Sequence, residues 1–265
     1  IRGGGYDSEW ASNLTLGTSG QHQGFDKASQ DVLIFLDDYI IKHKIQGKIK
    51  LWLTGYSRAA ATANLVAGSL NNGRKISQVT LSPDDMYAFC FEPPAGTLAA
   101  FDAKNDKHHN IVNIVNLNDV VTKVAPNAEK FEFTRYGKDI ILPTKETVGE
   151  TQYSLLRDRM LRELDKIETK KNYTLDDFKW KKLGLNINLS NGNVKFSVND
   201  NSQTHILTEY LNTVIDIFTA EELLNQDYYV NHHQDSVREM IAALLADSEN
   251  KEIVGVTEFV KILID

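Results

Sequence analysis

The chain has 265 residues, 42% hydrophobic and 25% charged, with 36 acidic against 29 basic side chains for a formal charge of −7. That length suits one large domain or two modest ones, and the composition is that of a globular chain, not a disordered one. The acidic balance argues against general nucleic-acid binding, which needs a basic face; the single cysteine, Cys90, excludes an internal disulfide and any cysteine-cluster zinc site.

The chain opens Ile1-Arg2-Gly3-Gly4-Gly5-Tyr6. Three glycines suit a turn where backbone approaches a ligand closely. Such a turn normally follows a strand, of which Ile1 alone would remain here, so upstream strands are expected to be missing; a flexible terminal glycine run is the alternative. Residues 26–44 place Ala28, Val32, Leu33, Leu36, Tyr39 and Ile40 at helical spacing, with Gly47 as a stop. Residues 48–54, KIKLWLT, alternate and read as a strand. Gly55-Tyr56-Ser57-Arg58-Ala59 follows, and the alanine-rich residues 58–71 form a good helix. Met86–Phe91 and Ile111–Leu117 are apolar runs of strand length bounded by turn residues. Strand, helix and strand in alternation imply parallel crossover units, so the expected class is α/β, a mostly parallel sheet flanked by helices.

After residue 126 the pattern changes. Residues 130–143 are expected to form a hairpin turning near Gly137, and residues 146–171 a charged helical stretch. Residues 185–198 read as a second hairpin, with Asn191-Gly192-Asn193 at its turn. Helices are expected at 204–217, 220–228, 235–247 and 256–264, the second carrying a capping box of Thr219 and Glu222. No composition shift marks a linker. A single domain over 1–265 is therefore expected, with 127–200 as a cap or insert. No apolar run reaches the ~18–20 residues of a spanning helix, and no signal peptide is visible; cytoplasmic and secreted locations both stay open.

The strand, Gly-Tyr-Ser-Arg-Ala, helix arrangement carries the chemistry. A sharp turn between a strand and a helix pushes the middle side chain out at the carboxyl edge of the sheet, and its neighbours must be small because the backbone turns against other strands. Ser57 is the nucleophile candidate, and Ala59 is small enough, although glycine is commoner there. At the amino end of helix 58–71, the amide of Arg58 faces a developing oxyanion with the helix dipole behind it. The competing reading is that Ser57 only caps the helix.

These residues resemble the lipase class 3 family of α/β-hydrolases, in a bacterial-type branch with Gly-Tyr-Ser-Arg at the elbow. Ile1-Arg2-Gly3-Gly4 looks like the family's oxyanion loop, where Arg-Gly is usually followed by Thr or Ser. Trp10 sits where the family has a lid tryptophan, and His22-Gln23-Gly24-Phe25 looks like its H-x-G-F before a long helix. Phe89–Gly96 resembles the strand and proline-containing turn after the elbow. Ile114–Asp119 looks like the strand ending in the catalytic acid, and Val120–Pro126 continues the likeness.

The resemblance implies a chain order of Ser, Asp, His. Asp119, just past an apolar strand, is then the acid, ahead of Asp102 and Asp106 in a polar stretch; the competing reading is that it caps the turn before Val120. The order leaves out four histidines as base. His22 packs or caps ahead of helix 26–44, His43 lies at a helix end, and His108 and His109 read as a solvated loop. His205, with Tyr210 downstream as in the family, is the expected base, with His232 and His233 as the fallback. The backbone amides of Gly4 and Arg58 would form the oxyanion hole, Gly4 resembling the glycine-type loops of some esterases and lipases.

The function expected is a serine carboxylic ester hydrolase, lipase-like or esterase-like. Its triad is Ser57, Asp119 and His205, and it needs no metal or cofactor. Its partner would be a small-molecule ester or a lipid. An apolar lid holding Tyr6 and Trp10 would favour acyl chains and make transient contact with a lipid surface, and the −7 charge disfavours tight docking on anionic membranes. Two alternatives stay open: a non-catalytic α/β-hydrolase scaffold that binds a partner, and acyl transfer or thioester hydrolysis by the same triad.

Overall fold

The computed structural model describes residues 1, 21–77, 79–117, 119–123, 125, 127–128, 131–155, 158, 185–190 and 193–198. In chain order the elements are α1 (Gln23–Lys42), β1 (Leu51–Tyr56), α2 (Arg58–Asn71), β2 (Met86–Phe91), β3 (Thr97–Leu98), β4 (Ile111–Val115), β5 (Asn127–Ala128), β6 (Phe131–Thr134), β7 (Lys138–Ile141), α3 (Lys145–Val148), β8 (Leu185–Ser190) and β9 (Asn193–Val198), with short 3-10 turns between them. Four strands form a parallel sheet in the order β1-β2-β4-β7. The expected α/β class, a parallel sheet flanked by helices, is the one observed.

Residue size explains the layering. Residues Ala59 to Gly68 of α2 are all buried. The alanines and Gly68 among them let the helix lie close against β1 and β2, and α1 packs on α2 in turn. Phe25, Leu33 and Ile40 of α1 meet Leu65, Val66 and Leu70 of α2, and the sheet adds Leu53, Met86, Ala88 and Cys90. Burying each large aliphatic or aromatic side chain contributes about 1.5–3 kcal/mol. Cys90 is free and fully buried, and burial pushes its thiol up to about 12. Two buried asparagines in this interior are paired. Asn64 of α2 donates to the Asn113 Oδ1 (2.8 Å) and the Tyr136 carbonyl (2.9 Å), and accepts the Tyr136 amide (3.0 Å). Asn113 donates to the Tyr136 carbonyl and to Asp139. Helix, β4 and β7 are thus joined by satisfied hydrogen bonds where an unmade one would be costly.

Several expectations are corrected. Residues 130–143 are not a hairpin: β6 pairs antiparallel with β3 and β5, whereas β7 joins the parallel sheet beside β4. Gly137, at φ 82, makes the change of direction, and a Cβ there would overlap the Ile111 carbonyl. Ile140 and Ile141 then lie beside Ile114 and Val115, and Ile140 and Leu142 are buried there. The first helix begins at Gln23 rather than Asp26 and ends at Lys42, and the strand expected at 48–54 runs from Leu51 to Tyr56. Lys48, at the start of that range, is instead engaged with Asp85 at 2.7 Å. His108 is not in a solvated loop: it is fully buried, 4.7 Å ring to ring from Tyr136, and only its neighbour His109 is exposed. The hairpin at 185–198 forms with Ser190 opposite Asn193. The expected helices from 204 onward lie outside the described residues. Among the described residues, no helix is long and apolar enough to cross a membrane.

Candidate active site

The turn from β1 into α2 is strained where the sequence places its nucleophile. Ser57 adopts φ 57, ψ −131, a region an L-residue seldom enters. Conformations of this kind cost about 1–3 kcal/mol and persist only when their surroundings enforce them. Here the surroundings are visible. The Ser57 amide donates to the Phe91 carbonyl at 2.9 Å, continuing the β1–β2 ladder, while the Ser57 carbonyl accepts from Ala60 (2.9 Å) and Ala61 (3.2 Å) and starts the helix. A Cβ on Gly55 would overlap the backbone of Ala59 and Ala60, so only glycine lets the strand pass so near the helix. Ala59, the departure from the commoner glycine, is accommodated and buried. The Ser57 hydroxyl makes no capping bond to the first turn of α2, so the capping reading does not describe it. Arg58 is the first helical residue, so its amide points out of the helix's amino end. Its guanidinium donates to the Gly24 carbonyl at 3.1 Å and ties the elbow to the start of α1. His22 precedes that helix as its N-cap residue; its ring makes no cap bond and stacks on Phe25 at 4.2 Å, so it packs and does not cap.

The ladder sets a row along the carboxyl edge of the sheet. Ser57 follows β1, Glu92 follows β2 with its amide on the Ile114 carbonyl (2.8 Å), and Asn116 and Asp119 follow β4. Strands lie about 4.8 Å apart, so β1 and β4 are separated by roughly twice that, too far for direct contact between Ser57 and Asp119 through their strand positions.

Asp119 is fully buried. Its amide donates to the Asn116 carbonyl (3.1 Å), its Oδ1 accepts the Val121 amide (2.9 Å), and its carbonyl accepts the Thr122 hydroxyl (2.8 Å). It therefore does cap the turn before Val120, with one of its two oxygens. Asp102 and Asp106, the alternatives for the acid, are exposed.

One residue beside this group was not singled out in the sequence. Glu92 is 0% exposed and sits at φ 50, between β2 and the Pro93-Pro94 turn. Both its oxygens accept the Asn116 amide, at 3.2 and 3.0 Å. Burial holds its carboxyl well above the usual range; the negative charge of Asp119 and a hydrogen bond to that side chain push the same way, against the pull of the Asn116 amide and the Arg135 charge. The signal was present, an acidic residue at the carboxyl end of a wholly apolar strand. Arg135, also missed, donates from Nε to the Pro93 carbonyl (2.7 Å) and from Nη2 to the Thr122 carbonyl, with Asp139 3.7 Å away. It clasps the two loops that carry Glu92 and Asp119.

Gly4, Tyr6, Trp10, His205, His232 and His233 lie outside the described residues. Among the described residues, no group of three or more His, Cys, Asp or Glu could hold a metal ion.

No curated protein matches the chain. Among solved structures, it is similar to a triacylglycerol lipase described as having a catalytic centre formed by a serine-protease triad, at 24% identity and a TM-score of 0.41, over 55% of this chain and 56% of that one. It is similar also to a Rhizomucor miehei lipase in its propeptide complex (23%, TM-score 0.36, 48% of this chain and 40% of that one) and to lipase II from Rhizopus niveus (21%, TM-score 0.36, 48% and 46%). The chain thus spans about half the length of these structures. The family model that matches it is Lipase (class 3), over residues 10–129, a span that holds the strained Ser57 elbow, Glu92 and Asp119 together.

Proposed function

We propose that the protein is a serine hydrolase of carboxylic esters, lipase-like or esterase-like, of the bacterial-type branch of the lipase class 3 family. The observation that carries this reading is the enforced backbone of Ser57, a non-glycine residue at φ 57 whose hydroxyl is not used to cap its helix. The match of residues 10–129 to the Lipase (class 3) model supports it.

In this mechanism Ser57 attacks the ester carbonyl while His205 takes its proton. Asp119 holds the imidazole tautomer and stabilises the imidazolium that forms. The amides of Arg58 and Gly4 receive the oxyanion, an arrangement in which losing one donor typically costs about 10²–10³ in rate. The alcohol leaves with the proton from His205, and water then releases the acid from Ser57. An apolar lid with Tyr6 and Trp10 gives the site its acyl side, and lipid esters are the substrate class.

A fluorophosphonate probe tests the reading. The folded protein should be labelled on Ser57, and Ser57→Ala should lose both the label and the hydrolysis of short p-nitrophenyl esters. A folded protein that stays unlabelled and inert would instead be a binding scaffold.

A further inference from the structure

We propose that Arg135 is a positioning residue for Asp119: its guanidinium spans from the turn after β2 to the loop after β4 and sets where Asp119 stands on the carboxyl edge of the sheet. This rests on the reading of Asp119 as the catalytic acid.

A chain of hydrogen bonds runs from Arg135 to that residue. Arg135 donates from Nε to the Pro93 carbonyl at 2.7 Å and from Nη2 to the Thr122 carbonyl. Thr122 is fastened in turn to Asp119. Its hydroxyl donates to the Asp119 carbonyl at 2.8 Å and to the Asn116 carbonyl at 3.3 Å, and its amide donates to the Asp119 carbonyl at 3.3 Å. The Val121 amide, one residue earlier, donates to Asp119 Oδ1 at 2.9 Å. Residues 119–122 thus form a closed turn. The Asp119 amide holds its start on the Asn116 carbonyl at 3.1 Å, and Arg135 holds its far end. The other arm of the clasp reaches the nucleophile's side of the sheet. Pro93 follows β2, whose Phe91 carbonyl takes the Ser57 amide at 2.9 Å. Arg135 therefore measures the Asp119 loop against the strand that holds the elbow.

A guanidinium suits this task. Its N–H donors lie in one rigid plane, so two bonds fix the separation of the groups they reach. Its own place is set from elsewhere. Arg135 lies between β6 and β7 beside Tyr136, whose amide and carbonyl are both bonded to Asn64 of α2, at 3.0 and 2.9 Å. Nη1 stands 3.7 Å from Asp139 Oδ2, and Asp139 accepts from Asn113 of β4 at 2.8 Å. The side chain is 13% exposed, and a cation so enclosed needs such a partner. Its two close bonds nevertheless go to neutral carbonyls on separate loops, while the carboxylate stands farther off. That arrangement braces the loops more than it neutralises a charge.

Kinetics of the full chain on a p-nitrophenyl ester test the assignment. Arg135→Lys keeps a charge beside Asp139 but lacks the planar fork. It should lower kcat by about tenfold to a hundredfold with KM nearly unchanged, since misplacing a functional group by about 1 Å costs up to about 10²-fold. Arg135→Gln, planar but neutral and shorter, should behave alike, and either variant, if folded by circular dichroism, suffices. The deciding measurement combines each with Asp119→Asn. Residues that act as a unit are not additive, so in the Asp119→Asn background the Arg135 replacement should cost less than about twofold. Structural damage elsewhere would cost the same in both backgrounds. A native rate in Arg135→Lys, or an equal loss with and without Asp119→Asn, would overturn the proposal. Failure of the acid reading shows differently: Asp119→Asn alone would then keep the native rate, and both readings would fall together.

Discussion

Ser57 is where backbone energy and chemistry meet most directly. Its left-handed backbone costs about 1–3 kcal/mol, and a glycine would escape that cost while an alanine would not. Ser57→Gly should therefore be more stable than Ser57→Ala by about 1 kcal/mol in urea unfolding, both being inactive. His108 makes a second prediction at this scale. Burial, helped by the Lys107 charge, lowers it from 6.5 to about 4, with Asp102 opposing. Its Nδ1 takes the Asn71 amide at 3.2 Å, so the neutral ring fits its place. The unfolded chain then binds a proton that the folded one refuses, and stability should fall as pH drops from 6.5 toward 4. Urea midpoints across that range should show the loss, and His108→Asn, which keeps an acceptor for Asn71 but cannot be charged, should flatten it.

Among the elements, α2 is the one on which the others depend, because its small residues bring backbone close to the sheet. Gly68 faces the Tyr136 ring so closely that an added Cβ would overlap it. Helix propensity alone says that Gly68→Ala should gain about 1 kcal/mol; overpacking says it should lose about 1–3 kcal/mol. The second should win, since Tyr136 is buried and its backbone is held by Asn64 on both sides, and thermal unfolding would check the sign. The bounds of α2 and β2 were legible in sequence because local patterns decide them: an alanine-rich run after a strained turn, and an unbroken apolar run closed by two prolines. The fate of residues 130–143 was not legible. A glycine between two apolar runs reads as a hairpin, and only the free edge of β4, set by the order of distant strands, makes the second run pair in parallel with it. His108 was misread for a similar reason, its polar neighbours outweighing a burial created by Asn71 and Tyr136.

For the molecule as a whole, the parallel sheet acts as a ruler. It aligns the ends of β1, β2 and β4, so residues far apart in sequence reach one edge. Ser57 could be read as a nucleophile because its motif is continuous. Glu92 could not be tied to Asn116, since their meeting depends on the β2–β4 register. The base, contributed from beyond residue 200 in the proposed triad, rests on chain order and on the likeness of His205 and Tyr210 to the family's pattern. Replacing each histidine tests it: His205→Ala should lower ester hydrolysis by orders of magnitude, and His233→Ala should leave it nearly unchanged. The reverse result would move the base to the 232–233 pair.

The lone thiol near the end of β2 has a practical consequence. Cys90 is sealed between β1 and β4, and as a fully protonated thiol it is a poor nucleophile in the native state. A sulfhydryl reagent can reach it only when the sheet comes apart. The rate of its modification therefore clocks how often the native molecule opens completely, a built-in reporter that needs no engineered label.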